Sequence, residues 1–376
     1  MKMTHLATFL VLLVALGTPS LAHRPSDAYL SLEWRGSTLE GRWDIALRDL
    51  EVAVGLDLDQ DGEVTWGELR QRHPAVAAHA LSRLRLWTSD GVCTLAAGEQ
   101  AVERHGDGTY SVLHFQARCP KPTAQLELEY RLFFDLDPTH RGFLRVEQDE
   151  GAESLVLSPD RSRHTLRAGT PSVWPQVAAF TEQGVWHIWL GFDHVLFLLA
   201  LLLPSVLQRR DGQWRATQAL RPALVQVLQV VTAFTLAHSL TLGLATLGWM
   251  TAPSRWVEAI IALSVALAAL NNLYPLWREG WPMAFGFGLV HGFGFAGVLA
   301  ELGLGGGGLL PPLLGFNLGV EVGQLALVAL LWPLAYRFRS TDTYRRAFLR
   351  GGSWLITAIA LLWFVDRILG LDRMPF

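Results

Sequence analysis

The sequence has little charge, little cysteine and no excess of basic residues. Charged residues make up 17% of its 376 residues and hydrophobic residues 51%, whereas an average soluble domain has about 25% charged residues. With a net charge of −3, the protein lacks the excess of basic residues expected of a nucleic-acid-binding protein. Two cysteines are too few for a thiolate zinc cluster or an iron–sulfur site within one chain. The composition therefore predicts an integral membrane protein with a soluble part, in contact with membrane lipid.

The first 22 residues have the pattern of a cleavable signal peptide. Lys2 and His5 precede an apolar run at 7–17, and the tripeptide at 20–22 places small residues at the −3 and −1 positions of a cleavage site. The apolar run is shorter than the about 20 residues that span a bilayer. A retained membrane anchor is the alternative interpretation.

Residues 23–170 form a mixed, polar segment that we expect to be exported. Apolar residues occupy alternate positions at 30–34, and similar alternation returns at 110–117 and 126–134, which is typical of half-buried strands. The segment is therefore predicted to be a small antiparallel β-rich domain. Helix-compatible sequence at about 47–86 predicts a helix–loop–helix insertion within it.

The only two cysteines, Cys93 and Cys119, both lie in this exported segment. An oxidising compartment favours a disulfide between them, with two buried free thiols as the alternative. Cleavage after Ala22 would make His23 the mature amino terminus. Its α-amine and imidazole would then suit a copper ion if another histidine joined them; an incidental terminus is the alternative.

Residues 57–68 match a twelve-residue EF-hand calcium loop. Acids stand at the first, third and fifth positions, glycine at the sixth and glutamate at the twelfth. The predicted calcium ligands are Asp57, Asp59, Asp61, Glu63 through its backbone carbonyl, Thr65 and Glu68. An acidic, solvated turn is the alternative. Because there is a single loop, a structural calcium site is favoured over a sensor.

The rest of the chain is predicted to be a membrane α-helical bundle of six transmembrane helices at 185–370. An interfacial linker at 171–184 precedes it, and a short tail at 371–376 follows on the side of the first domain. Each apolar segment is long enough to span a bilayer. The segments are 185–206, 222–246, 255–274, 282–302, 309–336 and 352–370.

Arginines are concentrated at one end of these segments. The loops after the first, third and fifth segments contain Arg209, Arg210, Arg215, Arg221, Arg278, Arg337, Arg339, Arg345, Arg346 and Arg350. The opposite ends contain Arg255 and Arg373. By the positive-inside rule, the ten-arginine side is cytoplasmic. We therefore expect a multi-pass protein of a bacterial inner membrane, with its large N-terminal domain in the periplasm.

Small residues recur every fourth position in two of the segments. Gly315, Gly319 and Gly323 do so in the fifth, and Gly288 and Gly292 in the fourth. This spacing lets helix backbones approach closely in lipid. We interpret these residues as packing surfaces without a role in chemistry.

Ionisable residues inside the predicted spans indicate a metal site. An unpaired carboxylate near the bilayer centre costs about 2.5–3.5 kcal/mol, so Asp193 and Glu321 need partners. His187 and His194 are seven positions apart, about two helical turns, so we expect them to share one face of the first span. The predicted ligands of a divalent transition-metal ion are His187, Asp193, His194, His238, His291 and Glu321. A hydrogen-bond network that only orders the helices is the alternative.

At these residues the sequence resembles the HupE/UreJ family of membrane proteins, which are regarded as nickel or cobalt permeases. It is more similar to the branch with a large exported N-terminal domain. The family's first signature, His-Pro-x-x-Gly-x-Asp-His, is matched by His187, Gly191, Asp193 and His194, with Ile188 where proline is usual. The resemblance covers about residues 184–370.

The family's second signature, Phe-His-Gly-x-Ala-His-Gly-x-Glu, is matched only in part. Aligning its first histidine with His291 keeps Gly292 but places Phe295 and Val298 at the positions of the second histidine and the glutamate. Aligning its second histidine with His291 loses the first. One ligand is missing either way, and Glu301 or Glu321 is the candidate substitute.

Three functions are compatible with these residues. The resemblance implies a permease that is not an enzyme and moves a divalent transition-metal ion, with nickel or cobalt as the model, while the exported domain gates the path or captures the ion. An intramembrane hydrolase would instead hold zinc with three histidines and an aspartate, assisted by Ser239 or Glu321. The third is a membrane metal-binding accessory factor for the assembly of a metalloenzyme, whose identity the sequence does not reveal.

Overall fold

The computed structural model describes residues 26–105, 108–169, 172–210, 213–250, 252–274, 277, 280–294, 309–371 and 374. The predicted signal peptide at 1–22, the copper candidate His23 and the candidate substitute Glu301 lie outside the described residues.

The described part of the N-terminal region is rich in strands, as predicted. The strands are β1 Asp27–Arg35, β2 Thr38–Ala46, β3 Leu84–Thr88, β4 Gly91–Val92, β5 Thr94–His105, β6 Gly108–Arg118, β7 Gln125–Tyr130, β8 Arg141–Gln148, β9 Gly151–Leu157 and β10 Arg163–Arg167. One sheet has the order β5-β6-β2-β1-β8-β9 and a second has the order β10-β7-β3-β4. Most neighbours pair antiparallel, but β1 and β8 run parallel.

The alternation that predicts β1 and β2 produces a hairpin whose apolar residues enter the core. Gly36 occupies the left-handed region (φ +62°) in the two-residue turn. Leu30 and Trp34 are buried in a core to which both sheets contribute. Trp43 of one sheet and Tyr130 of the other have ring centroids 5.5 Å apart. Burial of one face of each sheet therefore creates the domain core.

Two helices lie in the chain between β2 and β3: α1 Leu47–Val54 and α2 Trp66–Ser82. Leu50 of α1 and Val76 of α2 are fully buried in the same core. The predicted disulfide is confirmed, because Cys93 and Cys119 are bonded. The bond connects the residue after β4 in one sheet with the residue after β6 in the other.

The C-terminal region is helical. Its helices are α3 Val173–Leu190, α4 Phe192–Ser205, α5 Leu220–Thr246, α6 Ser254–Leu273, α7 Gly280–His291, α8 Leu310–Phe338 and α9 Gly352–Leu369. A π-helical segment, Tyr344–Gly351, leads directly into α9, and a hairpin of β11 Leu207–Arg210 and β12 Gln213–Ala216 joins α4 to α5. Among the described residues, α5, α6, α8 and the segment Tyr344–Leu369 are long and apolar enough to cross a membrane. A fifth span is obtained if α3 and α4 are counted together.

The first predicted span is not one straight helix. α3 begins at Val173, continues through the predicted linker at 171–184, and ends at Leu190, where a 69° bend separates it from α4. Polar residues of the predicted linker segment contact the β-domain. Gln176 Oε1 accepts a hydrogen bond from the Ser154 backbone N–H (3.3 Å), and Glu182 pairs with Arg161 (2.7 Å).

The predicted fourth span, 282–302, also differs from the structure. Its helix, α7, ends at His291, and a turn follows through Gly294. The remaining predicted residues from 295 onward lie outside the described part of the chain.

Glycines bring helix backbones into direct contact, as their spacing predicts. A Cβ added to Gly319 would lie 2.1 Å from the Thr181 carbonyl oxygen, so α8 and α3 touch through the backbone. A Cβ on Gly292 would lie 2.5 Å from the carbonyl oxygen of His238 on α5. Close contact of this kind provides the dispersion energy that holds helices together in lipid.

The β-domain rests on the helices through aromatic side chains. Tyr29, Tyr110 and Phe143 belong to one apolar cluster with Phe180 of α3 and Phe316 of α8. Tyr29 stacks on Phe143 with centroids 5.7 Å apart. This shared cluster packs the domain against α3 and α8, on the N-terminal side of the bend.

Candidate metal centre

The bend after α3 creates the first part of the centre. Gly191 ends α3, with its N–H donating to the His187 carbonyl oxygen (2.9 Å). A Cβ at this position would lie 2.5 Å from that oxygen and 2.8 Å from Nδ1 of His194. Only glycine fits without displacing the imidazole. Beyond Gly191 the chain bends by 69°, and the rings of His187 and His194 have centroids 4.6 Å apart.

A third imidazole comes from α5. His238 is fully buried, and its ring centroid lies 6.2 Å from that of His187 and 6.3 Å from that of His194. Its Nδ1 is 3.4 Å from Oδ1 of Asn317 on α8, which orients the ring. One ring nitrogen of each of the three histidines lies within 4.8 Å of the other two. We call His187, His194 and His238 the histidine triad.

A second group shares His194. Asp193 Oδ1 lies 2.9 Å from His194 Nδ1, and Asp193 Oδ2 lies 3.6 Å from Nδ1 of His291 at the end of α7. The other nitrogen of His291 is 3.0 Å from Oγ of Ser264 on α6. We call Asp193, His194 and His291 the aspartate triad; its three ligand atoms also lie within 4.8 Å of one another.

Buried ring nitrogens in this cluster lack hydrogen-bond partners among the described residues. They include Nε2 of His194, Nε2 of His238 and Nδ1 of His291, the last of which lies 3.6 Å from Asp193. A buried polar atom without a partner costs about 1–3 kcal/mol, and such atoms in native proteins often indicate an ion or a water. Two of these nitrogens belong to residues of the histidine triad and one to the aspartate triad, so donor atoms of both groups are available to a cation.

Aromatic rings surround the cluster. Phe234 lies 5.2 Å from the His291 ring and 6.0 Å from the His194 ring, between centroids. Phe316 lies 5.1 Å from His187, and Phe197 lies 5.4 Å from His291. Because these rings exclude water, charge interactions inside the cluster are stronger than in solvent.

Glu321, a predicted ligand, belongs to neither triad. Its Oε1 accepts a hydrogen bond from Thr232 Oγ1 on α5 (2.9 Å), and the neighbouring Gln324 pairs with Thr235. Thr232 precedes His238 by six residues, about 9 Å along the helix axis. Asn317, Glu321 and Gln324 form a polar stripe on α8 that contacts α5. Of these three described residues, Asn317 is the one that contacts an imidazole of the cluster.

The helical part of the chain can be compared with known families. A family model described as HupE / UreJ protein matches residues 162–367, more than half of the chain. The chain belongs to the HupE/UreJ family. No curated protein that matches the chain was found.

The residues of the first HupE/UreJ signature have distinct structural roles here. Gly191 permits the bend, His187 and His194 lie on its two sides, and Asp193 contacts both His194 and His291. The site residue that sequence reasoning missed is Ser264. A single serine in an apolar helix carries no signal for this role, because serine hydroxyls commonly bond to their own helix.

The polar groups available to a hydrolase point elsewhere. Ser239 Oγ donates to the Thr235 carbonyl oxygen (2.7 Å), one turn back in α5. Glu321 is bonded to Thr232, as described above. Neither side chain reaches the two triads.

The predicted calcium loop lies between α1 and α2 on the surface of the β-domain. The carboxylates of Asp57, Asp59 and Asp61 have oxygens within 4.8 Å of one another. The Glu68 carboxylate forms a capping box with Thr65 and also accepts from the Leu58 N–H (2.7 Å). These backbone hydrogen bonds, from Thr65 first, lower the pKa of Glu68 to about 2. Its carboxylate is therefore charged at any physiological pH.

A third group, Asp44, Glu103 and His105, is already occupied by a cationic side chain. Arg42 binds both carboxylates, with its Nε 2.8 Å from Oδ1 of Asp44. Burial alone would raise the pKa of Asp44, but hydrogen bonds from His105 and Arg42 lower it. The guanidinium takes the position that a metal ion would need.

Proposed function

We propose that the protein is a permease that binds and transports a divalent transition-metal ion through the buried histidine cluster. The observation that carries this proposal is the convergence of four histidines and one aspartate from α3, α4, α5 and α7, with the Nε2 atoms of His194 and His238 buried and unpartnered among the described residues. The HupE/UreJ family is linked to nickel and cobalt transport or accessory roles, which supports the same class of cargo.

The donor atoms favour a borderline divalent ion such as nickel, cobalt or zinc. Imidazole suits these ions, and a nearby carboxylate offsets part of their charge. Both cysteines are consumed by the disulfide of the β-domain, so no thiolate is available to select a softer ion.

The proposed topology has six spans. The bent pair α3 and α4 forms the first, the segment predicted at 282–302 is the fourth, and the arginine-rich ends face the cytoplasm. We place the β-domain in the periplasm of a bacterium, after removal of a signal peptide at 1–22. In this arrangement the β-domain covers the outer end of α3 and gates or captures the ion.

The calcium loop is a separate proposal. We propose that Asp57, Asp59, Asp61, Glu63, Thr65 and Glu68 hold a structural calcium ion in the β-domain. The three clustered aspartate carboxylates and the charged Glu68 support a hard cation with oxygen ligands. This site is distinct from the cargo path.

The positions of two polar side chains favour a transport function over hydrolysis. A zinc hydrolase needs a water on the metal and a group that takes its proton. Ser239 and Glu321, the available candidates, are hydrogen-bonded away from both triads. The two groups that the sequence suggests as assistants of a hydrolase are therefore bonded away from the ligands.

The test is metal uptake by proteoliposomes that contain the full chain and an internal metal-sensitive fluorophore. We expect Ni²⁺ or Co²⁺ uptake by the wild type and a loss of at least tenfold in His194→Ala. Ser239→Ala is the matched control, since it removes the hydroxyl next to His238 on α5, which donates to the Thr235 carbonyl oxygen, and should transport normally. Uptake by His194→Ala at the wild-type rate would overturn the permease proposal.

Binding measurements on the same preparations separate the remaining alternative. Wild-type protein that binds the ion but never moves it into the vesicle would support an accessory factor in metalloenzyme assembly. Such a result would contradict transport and leave the metal centre in place.

A further inference from the structure

We infer that the cluster offers two alternative positions for a single ion, and that His194 serves both of them. This inference rests on the proposed metal-ion cargo. One position is the histidine triad and the other is the aspartate triad. The ion would pass from one to the other by exchanging His187 and His238 for Asp193 and His291. His194 would at the same time lose the proton of Nδ1 and take up a proton on Nε2, so that the neutral ring presents its other nitrogen.

The geometry of His194 carries the inference. Its Nδ1 faces Asp193 at 2.9 Å, whereas its Nε2 is buried and has no hydrogen-bond partner among the described residues. The two nitrogens therefore differ in their surroundings, since Nδ1 is paired with Asp193 and Nε2 is free to bind an ion. Within the described part of the chain, His194 is the residue that the two triads have in common.

The chemistry of imidazole makes the two positions exclusive. A neutral imidazole carries a proton on one nitrogen and a free lone pair on the other. His194 can therefore ligate an ion on its Asp193 side or on its His238 side, but not on both at once. When the ion occupies the histidine triad through Nε2, the Nδ1–H donates to Asp193, which is the usual way a carboxylate orients a metal-bound histidine.

Distances in the aspartate triad suit an ion between its members. Ligand atoms that each lie about 2.0–2.2 Å from one ion stand about 3–4 Å apart. The separations of Asp193 oxygens from His194 Nδ1 (2.9 Å) and His291 Nδ1 (3.6 Å) are close to this range. Ser264 holds the opposite nitrogen of His291, at 3.0 Å, so the ring presents Nδ1 to the aspartate.

The two positions differ in charge and in location. The histidine triad has three neutral ligands, and the aspartate triad includes a carboxylate that offsets half of a divalent charge. His187 lies on α3, the helix that contacts the β-domain through Gln176 and Glu182. Asp193 and His291 lie beyond the bend, on α4 and α7. The carboxylate therefore stabilises the ion electrostatically when it occupies the aspartate triad.

Equilibrium binding of Co²⁺ to the purified full chain in detergent tests this inference, with metal content and the visible cobalt spectrum as readouts. His238→Asn removes a ligand of the histidine triad alone, His291→Asn removes one of the aspartate triad alone, and His194→Asn removes the shared ligand. His114→Asn, exposed on β6, is the control. Thermal unfolding of each variant confirms that it folds.

We expect one ion per chain in the wild type. His238→Asn and His291→Asn should each still bind one ion, with different cobalt spectra because one site contains oxygen and the other does not. His194→Asn should weaken binding at least tenfold more than either. Two ions per wild-type chain would overturn the inference. So would equal loss of binding in all three variants, which would indicate one site that uses every ligand.

The outcome is independent of transport. The expected binding pattern in a protein that shows no uptake would remove the permease proposal and leave the two positions intact. Normal uptake with two ions bound, or with equal loss of binding in the three variants, would support the permease proposal and overturn the two alternative positions. If His194→Asn does not fold, the cobalt spectra of His238→Asn and His291→Asn decide: identical spectra overturn the inference, and different spectra support it.

Discussion

The imidazole rings of His187 and His194 lie 4.6 Å apart between centroids, on the two sides of a 69° bend between the helices that carry them. In an unbroken helix, seven residues correspond to about 10.5 Å along the axis, so the two rings would be too distant to share an ion. The bend therefore does more than redirect the chain, because it brings two ligands to one point.

Substitution of Gly191 should damage the centre more than the fold. In Gly191→Ala the new Cβ would lie 2.8 Å from His194 Nδ1 and 2.5 Å from the His187 carbonyl oxygen, so we expect Co²⁺ affinity to fall at least tenfold. Gly286→Ala on α7 is the control, because nothing lies within 4 Å of its added Cβ. Unchanged affinity in Gly191→Ala would show that the rings do not depend on the bend.

Substitution of Gly319 should weaken the contact between α3 and α8. Its Cβ would overlap the Thr181 carbonyl oxygen at 2.1 Å, and overpacking of this kind costs about 1–3 kcal/mol. Gly319→Ala should therefore lower the thermal midpoint of the full chain in detergent. Gly243→Ala, with its nearest neighbour at an ordinary 3.5 Å, should leave the midpoint unchanged. Equal midpoints for the two variants would contradict close packing at Gly319.

Calcium should stabilise the β-domain. External calcium modules bind with dissociation constants of about 10⁻⁴–10⁻³ M, so 10 mM Ca²⁺ should add about 1.4–2.7 kcal/mol to the free energy of unfolding. Asp59→Asn and Asp61→Asn should abolish most of this gain, measured by urea unfolding with and without calcium. Glu99→Gln, an exposed acid outside the loop, should retain it. A calcium effect that survives both aspartate substitutions would place the ion elsewhere.

The β-domain should lose stability as the pH falls below about 6.5. His140 is fully buried between Ser26 Oγ (2.6 Å) and Tyr130 OH (2.8 Å), and burial lowers its pKa to about 3 from an ordinary 6.5. Between these values the unfolded chain binds a proton that the native chain does not. The free energy of unfolding should therefore fall by about 1.4 kcal/mol per pH unit as the pH decreases.

The His140 contribution can be separated from that of the carboxylates by substitution. His140→Gln should remove about 1.4 kcal/mol per pH unit from the slope of stability against pH between 3 and 6.5. His114→Gln, exposed on β6, serves as the matched control and should keep the wild-type slope. Parallel slopes for wild type and His140→Gln would rule out this histidine as the source.

Several features could be predicted because they depend on local pattern. The alternation of apolar and polar residues at 30–34 predicts a strand, and the four-residue spacing of glycines predicts a close helix contact at Gly319. With Cys93 and Cys119 the two cysteines of the sequence, a disulfide within the chain has one possible pairing. The histidines of the first family signature were also identifiable before the structure.

Other features could not be predicted, since they depend on partners distant in sequence. The segment 171–184 is predicted to be an interfacial linker, but its residues Gln176 and Glu182 bind Ser154 and Arg161 of the β-domain. Glu321 has the right residue type for a ligand, yet its depth on α8 pairs it with Thr232.

The sequence by itself determined which segments are strands, which are membrane helices and which side chains are able to bind a cation, because hydropathy, periodicity and donor chemistry are properties of neighbouring residues. Only the tertiary structure decided which of those donors meet. The bend at Gly191 and the depth at which α5, α7 and α8 pack select the histidines and Asp193 and leave Glu321 outside, since a ligand set requires positions within a few ångströms that no spacing along the chain specifies.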